Sequence, residues 1–109
     1  MDCLFCKIIK KELPAEIIYE DNNAVVFKDI YPKAPIHFLI VSKKHIASVN
    51  DLKPEDKELM SELFLVAQKV ARENNLNGYK LHINVGREGG QLVEHLHMHL
   101  LSGKPMEMP

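Results

Sequence analysis

No apolar run approaches the roughly 18 residues of a membrane-spanning helix, and no charged segment leads into an apolar one as in a secretory leader. Neither a membrane span nor a signal peptide is expected, and a cytoplasmic location is. Charge of one sign is also lacking: 14 Lys and Arg stand against 15 Asp and Glu, a net charge of −1. Without a positive surplus, and without a basic cluster interleaved with aromatics, neither nucleic acid nor an anionic membrane is an expected partner. Cysteine is scarce. Cys3 and Cys6 are the only two, and they sit too close together for an ordinary framework disulfide. In a reducing compartment such a pair binds metal or does redox chemistry. Repeats, low-complexity tracts and linkers are missing as well, so residues 1–109 read as one domain.

What is present is a mixture of periodicities. "CLFCKIIKKE" carries Leu4, Phe5, Ile8 and Ile9 at helical spacing, closed by Pro14. "AEIIYED" and "AVVFKDI" read as strands joined at Asp21-Asn22-Asn23, and "IHFLIVSK" as a third strand apolar enough to be central. From Pro54 the pattern turns helical: Leu59, Leu63, Val66 and Val70 fall at i, i+4, i+7 and i+11, with Met60, Phe64, Ala67 and Ala71 widening the stripe. Met60 and Phe64 are expected to pack in the core. Leu65 lies beyond the stripe, an apolar surplus that favours burial in a homodimer. "YKLHINVG" and "EHLHMHLL" add two strands around the loop "REGGQLV". The expected class is α+β: an antiparallel sheet of about five strands, one long helix and a short N-terminal helix.

Half of the six histidines fall in "EHLHMHLL", at His95, His97 and His99. On a strand, residues two apart share a face, so three imidazoles would line one side with Leu96, Met98 and Leu100 on the other. On a helix they would fan out and form no single site. A neutral imidazole near its ordinary pKa is a nucleophile at pH 7, and neighbouring imidazoles are donors for anionic phosphate oxygens. Gly86, Gly89 and Gly90 in "NVGREGGQ" permit close backbone approach to an anion. Metal binding by the same histidines is the competing reading. Separately, two thiolates spaced as in "CLFC" can reach one Zn²⁺, and two imidazoles would complete a tetrahedral site. All six histidines are candidates on spacing alone. A thioredoxin-like role fits less well, because the motif does not follow a strand in a βαβ pattern.

His-Leu-His-Met-His-Leu-Leu resembles the histidine triad motif, His-φ-His-φ-His-φ-φ with φ apolar. "FCKIIKKELPAEIIYED", "FKDIYPKAPIHFLIVSKKHI", "INVGREGGQ" and "SGKPMEMP" are similar to the corresponding stretches of the Hint-like, nucleotide-binding branch of that family. The resemblance implies a homodimer that binds purine nucleotides and cleaves nucleoside phosphoramidates or related conjugates through a nucleotidyl-histidine. Carried over by position, His97 is the nucleophile, His99 and His37 contact the phosphate, and the His95 carbonyl orients His97. Asn84 and Gln91 match loop residues at the phosphate, and Asp29 the carboxylate on the ribose hydroxyls. Phe5, Ile8, Phe27, Ile30 and Leu39 match the base pocket, although plain core is an equal reading for Phe27 and Leu39. Zinc-containing members imply a structural Zn²⁺ on Cys3, Cys6, His45 and His95. His82 matches no family role. The chain departs at Leu92, where the branch carries serine, so the leaving-group proton would come from His99 or water. A catalytically weak nucleotide- or partner-binding dimer and a dinucleoside polyphosphate hydrolase are the alternatives.

Overall fold

The computed structural model describes residues 3–103; residues 104–109, and with them the "KPMEMP" part of the resemblance, lie outside the described residues. In chain order the elements are α1 (Leu4–Ile9), β1 (Ile17–Glu20), β2 (Ala24–Lys28), β3 (Ile36–Ser42), α2 (Lys57–Glu73), β4 (Lys80–His82) and β5 (His97–Ser102). The strands form one antiparallel sheet in the order β1-β2-β3-β5-β4, with β3 at its centre. This is the α+β arrangement expected from the sequence. No helix among the described residues is long and apolar enough to cross a membrane.

The first hairpin turns at Asp21, whose Oδ1 accepts from the Asn23 and Ala24 amides at 2.7 and 2.8 Å while Tyr19 donates to Oδ2. An Asx turn of this kind is what Asp followed by Asn favours. Both helices stop in the same way. Lys11 and Asn75 adopt φ of 64° and 57°. The amides of Glu12 and Leu76 then donate back to the Lys7 and Ala71 carbonyls, the Schellman pattern. At its other end α2 is preceded by a 3₁₀ turn, Pro54–Asp56, so the α-helix starts three residues after the proline.

The sheet has two different faces. Ala24, Val26, Phe38, Ile40, Met98 and Leu100 face α2 and meet its stripe of Leu63, Val66, Ala67, Val70 and Ala71. Val25, Phe27, Leu39 and Val41 face the other way and pack under Phe5 and Ile8 of α1. Phe64 corrects the expectation of a core residue: it is 49% exposed. It sits about 100° round the helix from Leu63, off the side that Leu63 and Val70 turn to the sheet. Met60 packs at the margin of that core as expected.

Both C-terminal strands are shorter than the sequence pattern. β4 ends at His82 because the chain then enters the loop of Gly86 and Gly90, whose φ values of 68° and 87° suit glycine. β5 begins only at His97. The His95 amide donates to the Val93 carbonyl and the Leu96 amide to the Ile46 carbonyl, so neither joins the ladder. His95 therefore precedes the strand, and only His97 and His99 share its face.

Candidate active site

Four side chains meet where α1 begins. Cys3 Sγ lies 3.2 Å from His95 Nδ1, Cys6 Sγ lies 3.3 Å from His45 Nδ1 and 3.7 Å from His95 Nδ1, and the two Nδ1 atoms are 3.1 Å apart. A tetrahedral zinc with bonds of 2.0–2.3 Å separates its ligand atoms by roughly 3.3–3.8 Å. The cluster has that size and the matching donors. His95 is also prepared chemically: its Nε2–H donates to the Ser42 carbonyl at 2.6 Å, which leaves the Nδ1 lone pair facing the thiols. The residues present fit a structural Zn²⁺, which would clamp α1 to the loop after β3 and to the segment entering β5.

The same residue sets the next one. The His95 carbonyl accepts from His97 Nδ1–H at 2.7 Å, so the free lone pair of His97 is on Nε2. Phe5 stands edge-on to the His97 ring at 5.0 Å and to Phe27 at 5.5 Å, holding both from the α1 side. Burial pushes the His97 pKa down, against the His95 hydrogen bond that raises it. Its ring is kept neutral, the state a nucleophile needs.

A second relay ends at His99. The Lys33 amide donates to His37 Nδ1 at 3.1 Å, so His37 carries its proton on Nε2 and donates it to His99 Nδ1 at 2.9 Å. His99 is left with an Nε2–H. Burial, then the neighbouring His97, His82 and His37, push His99 down to about 4. At pH 7 its neutral ring offers Nε2–H as a hydrogen-bond donor. Asp29 Oδ2 lies 3.5 Å from His37 Nε2. Asp29, His37 and His99 are close enough to hold a metal. The Lys33 amide argues against one, because it fixes the proton on the nitrogen a metal would need.

These groups border a cavity of about 460 Å³ lined by Phe5, Ile8, Phe27, Leu39, Asp29, Asn84, His97 and His99, with Ile30, Leu4, Gly90 and Leu92 also on its wall. Small-molecule pockets have this size and this apolar lining with a few polar groups. The structure thus brings together most of the expected residues. Phe27 and Leu39 are buried core and cavity wall at once; Ile30, 80% exposed, sits at the rim. Asp29 Oδ1 is occupied by the Tyr31 amide, and Asn84 donates to the Gly89 carbonyl, bracing the glycine loop. His37 stands behind His99 rather than on the cavity wall. Gln91 is buried: its amide donates to the Ala47 and Val93 carbonyls and its Oε1 accepts from the Gly86 amide, so it ties loops together and does not line the cavity. Leu92 is 94% exposed on the wall of this cavity and of a second one that reaches Cys3 and His45.

Two main-chain groups of the site, the Ser42 carbonyl and the Lys33 amide, have no signature in side-chain type and were not legible. His82, which matches no family role, has a place in the site as well. In the structure it pairs with His99 across β4 and β5, with the rings stacked at 4.4 Å and 21°. The alternation of His82 and Asn84 in "KLHIN" was its only signal.

Comparison with known proteins agrees with this geometry. A family profile described as the scavenger mRNA decapping enzyme C-terminal binding family matches residues 2–108. The fold superimposes on a HIT family hydrolase from Legionella pneumophila with a TM-score of 0.97, 47% identity and coverage of 99% of this chain and 98% of that one. A zinc-bound histidine triad family protein from Mycobacterium smegmatis gives 0.84 and 33% over 95% and 76% of the two chains. A histidine triad nucleotide-binding protein from Candida albicans gives 0.80 and 31% over 99% and 86%. With its motif, its fold and its relatives in agreement, this chain belongs to the histidine triad (HIT) family.

Proposed function

We propose that this protein is a nucleotidyl hydrolase or transferase that cleaves purine nucleoside 5'-phosphoramidates or related conjugates through a covalent intermediate on His97. The family's hydrolases and nucleotide-binding members support the general class. The observation that carries the finer reading is the fixed tautomer of His97, whose Nδ1–H is held by the His95 carbonyl at 2.7 Å beside the cavity.

In the proposed reaction, Nε2 of His97 attacks the α-phosphorus. The N–P bond forms as the bond to the leaving group breaks. His99 donates its Nε2–H to a phosphoryl oxygen as charge builds there, an electrostatic role that needs no proton transfer. The leaving group takes its proton from water, since Leu92 cannot donate. Water then attacks phosphorus, releasing the nucleoside monophosphate and restoring neutral His97. Asp29 accepts from the ribose hydroxyls, and Phe5, Ile8, Phe27 and Leu39 enclose the base. The Cys3, Cys6, His45 and His95 cluster holds a structural Zn²⁺ that keeps the His95 backbone in place and takes no part in the chemistry.

One observation favours a second reading. With Leu92 where a serine would serve the leaving group, a slow nucleotide- or partner-binding protein is the alternative. A panel of adenosine and guanosine phosphoramidates, adenosine phosphosulfate and dinucleoside polyphosphates, run on the wild type and His97→Ala, separates the readings. The proposal expects turnover of a phosphoramidate that the variant abolishes. Tight nucleotide binding with no turnover of any compound would favour the second.

A further inference from the structure

We infer that His82 is a positioning residue of the phosphate site: its ring is the wall that holds the His99 imidazole with Nε2–H turned toward the cavity. The catalytic part of this inference rests on the function proposed above; the structural part does not.

His99 is held at one point by the hydrogen bond from His37 to Nδ1, at 2.9 Å. A single in-plane bond leaves a ring free to swing about it, and a swing of a few tens of degrees carries Nε2–H off a phosphoryl oxygen. His82 removes that freedom. It lies directly opposite His99 in the β4–β5 register, and its ring stacks face to face at 4.4 Å with 21° between planes. His97, at 5.1 Å and 59°, is tilted and offers no such surface.

Apart from a side-chain hydrogen bond with Asn84, the choice of histidine here is unrewarded. β4 is a three-residue edge strand, where valine or leucine would fill the same space. His82 Nδ1 is buried and makes no hydrogen bond, a loss an aliphatic side chain would avoid. A flat ring that stays neutral is what the position supplies. The groups that face His99 explain why both rings stay uncharged: His97 on β5, His82 with Lys80 on β4, His37 on β3, and Asp29 after β2. At His99, burial and then the neighbouring imidazoles outweigh Asp29; at His82, burial, then Lys80 and the neighbouring imidazoles, outweigh the Asn84 hydrogen bond and hold it below its ordinary value. Two neutral imidazoles stack; two imidazolium rings would repel.

The test compares His82→Val, which suits a strand but has no plane, with His82→Phe, which keeps the plane and removes both nitrogens. Folding of each variant is checked by its melting temperature. NMR of ¹³C-labelled histidine follows the His99 titration, and kcat/KM is measured on an adenosine phosphoramidate. His82→Val is expected to lose about ten-fold in kcat/KM, the scale of a misplaced catalytic group, and to move the His99 titration toward the ordinary histidine range. His82→Phe is expected to keep kcat/KM close to wild type and to move the His99 titration less than His82→Val does, since it keeps the burial but not the second imidazole. Two results overturn the inference: wild-type titration and turnover in folded His82→Val, or a His82→Phe as impaired as His82→Val. Should the wild type turn over no phosphoramidate, the proposed function fails, and the NMR comparison still decides whether His82 positions His99.

Discussion

A neutral imidazole has one donor and one acceptor, and in this site the partner of one nitrogen dictates the work of the other. Ser42 takes the proton of His95 and frees Nδ1 for the thiol cluster; the His95 carbonyl takes that of His97 and frees Nε2 for phosphorus; Lys33, through His37, leaves His99 with a donor. The histidines themselves were legible in the sequence. The His95 carbonyl came with the family resemblance, but the Ser42 carbonyl and the Lys33 amide were not legible, because a main-chain group in reach depends on how the chain around β3 is placed. Gln91 shows the same limit: its side chain has the right chemistry for phosphate, yet three backbone groups consume it. One prediction belongs here. Asp29→Ala should weaken binding of a purine nucleoside monophosphate by about ten-fold, the loss of a charge-assisted hydrogen bond pair. It should leave the 2',3'-dideoxy analogue nearly unaffected, as titration calorimetry of the four combinations would show. Equal losses for both ligands would remove Asp29 from the ribose.

At the scale of elements, both helices were legible, α2 from its continuous stripe and α1 from Leu4, Phe5, Ile8 and Ile9. Seventeen residues with a continuous stripe declare a helix; six residues need an external anchor, and Phe5 and the cysteine cluster supply it. The late start of β5 was hidden because its cause is tertiary, the Leu96 amide reaching Ile46. Phe5→Ala removes a buried ring from contact with both Phe27 and His97, and should destabilise by about 3–5 kcal/mol in denaturant unfolding. Zinc analysis should find one equivalent per chain. Its removal by a chelator should lower the melting temperature and expose two titratable thiols, while α2 keeps its helical signal. Less than about a tenth of an equivalent in protein purified without chelator would return Cys3 and Cys6 to ordinary cysteines. Leu92→Ser should raise kcat on a phosphoramidate with a poor leaving group by several-fold, up to about ten-fold, and change nothing for a good one.

For the whole molecule, Leu65 and Phe64 stand exposed on α2. We propose them as the surface of the homodimer that the family resemblance implies, and light scattering at micromolar concentration should then show twice the chain mass. Stability should also depend on pH in two steps. His37, His82 and His99 are all held below the ordinary histidine value, mainly by burial. Between pH 6.5 and about 4 the unfolded chain therefore binds protons that the folded chain refuses. Stability falls as pH drops through that window and is level above it. Glu20, paired with Lys11 and Lys43, and Asp56, paired with Lys44, are held low, so a further loss follows below about pH 4. A melting temperature unchanged between pH 7 and 5 would contradict the buried neutral histidines. The central claim is that His97 itself takes the nucleotidyl group, and rapid-quench mass spectrometry of the intact protein during turnover of an adenosine phosphoramidate tests it most directly. The account predicts a chain heavier by one adenylyl group, with the addition mapped to His97 and lost in His97→Ala; turnover that persists in that variant, with no adduct on His97 at any time point, would contradict it.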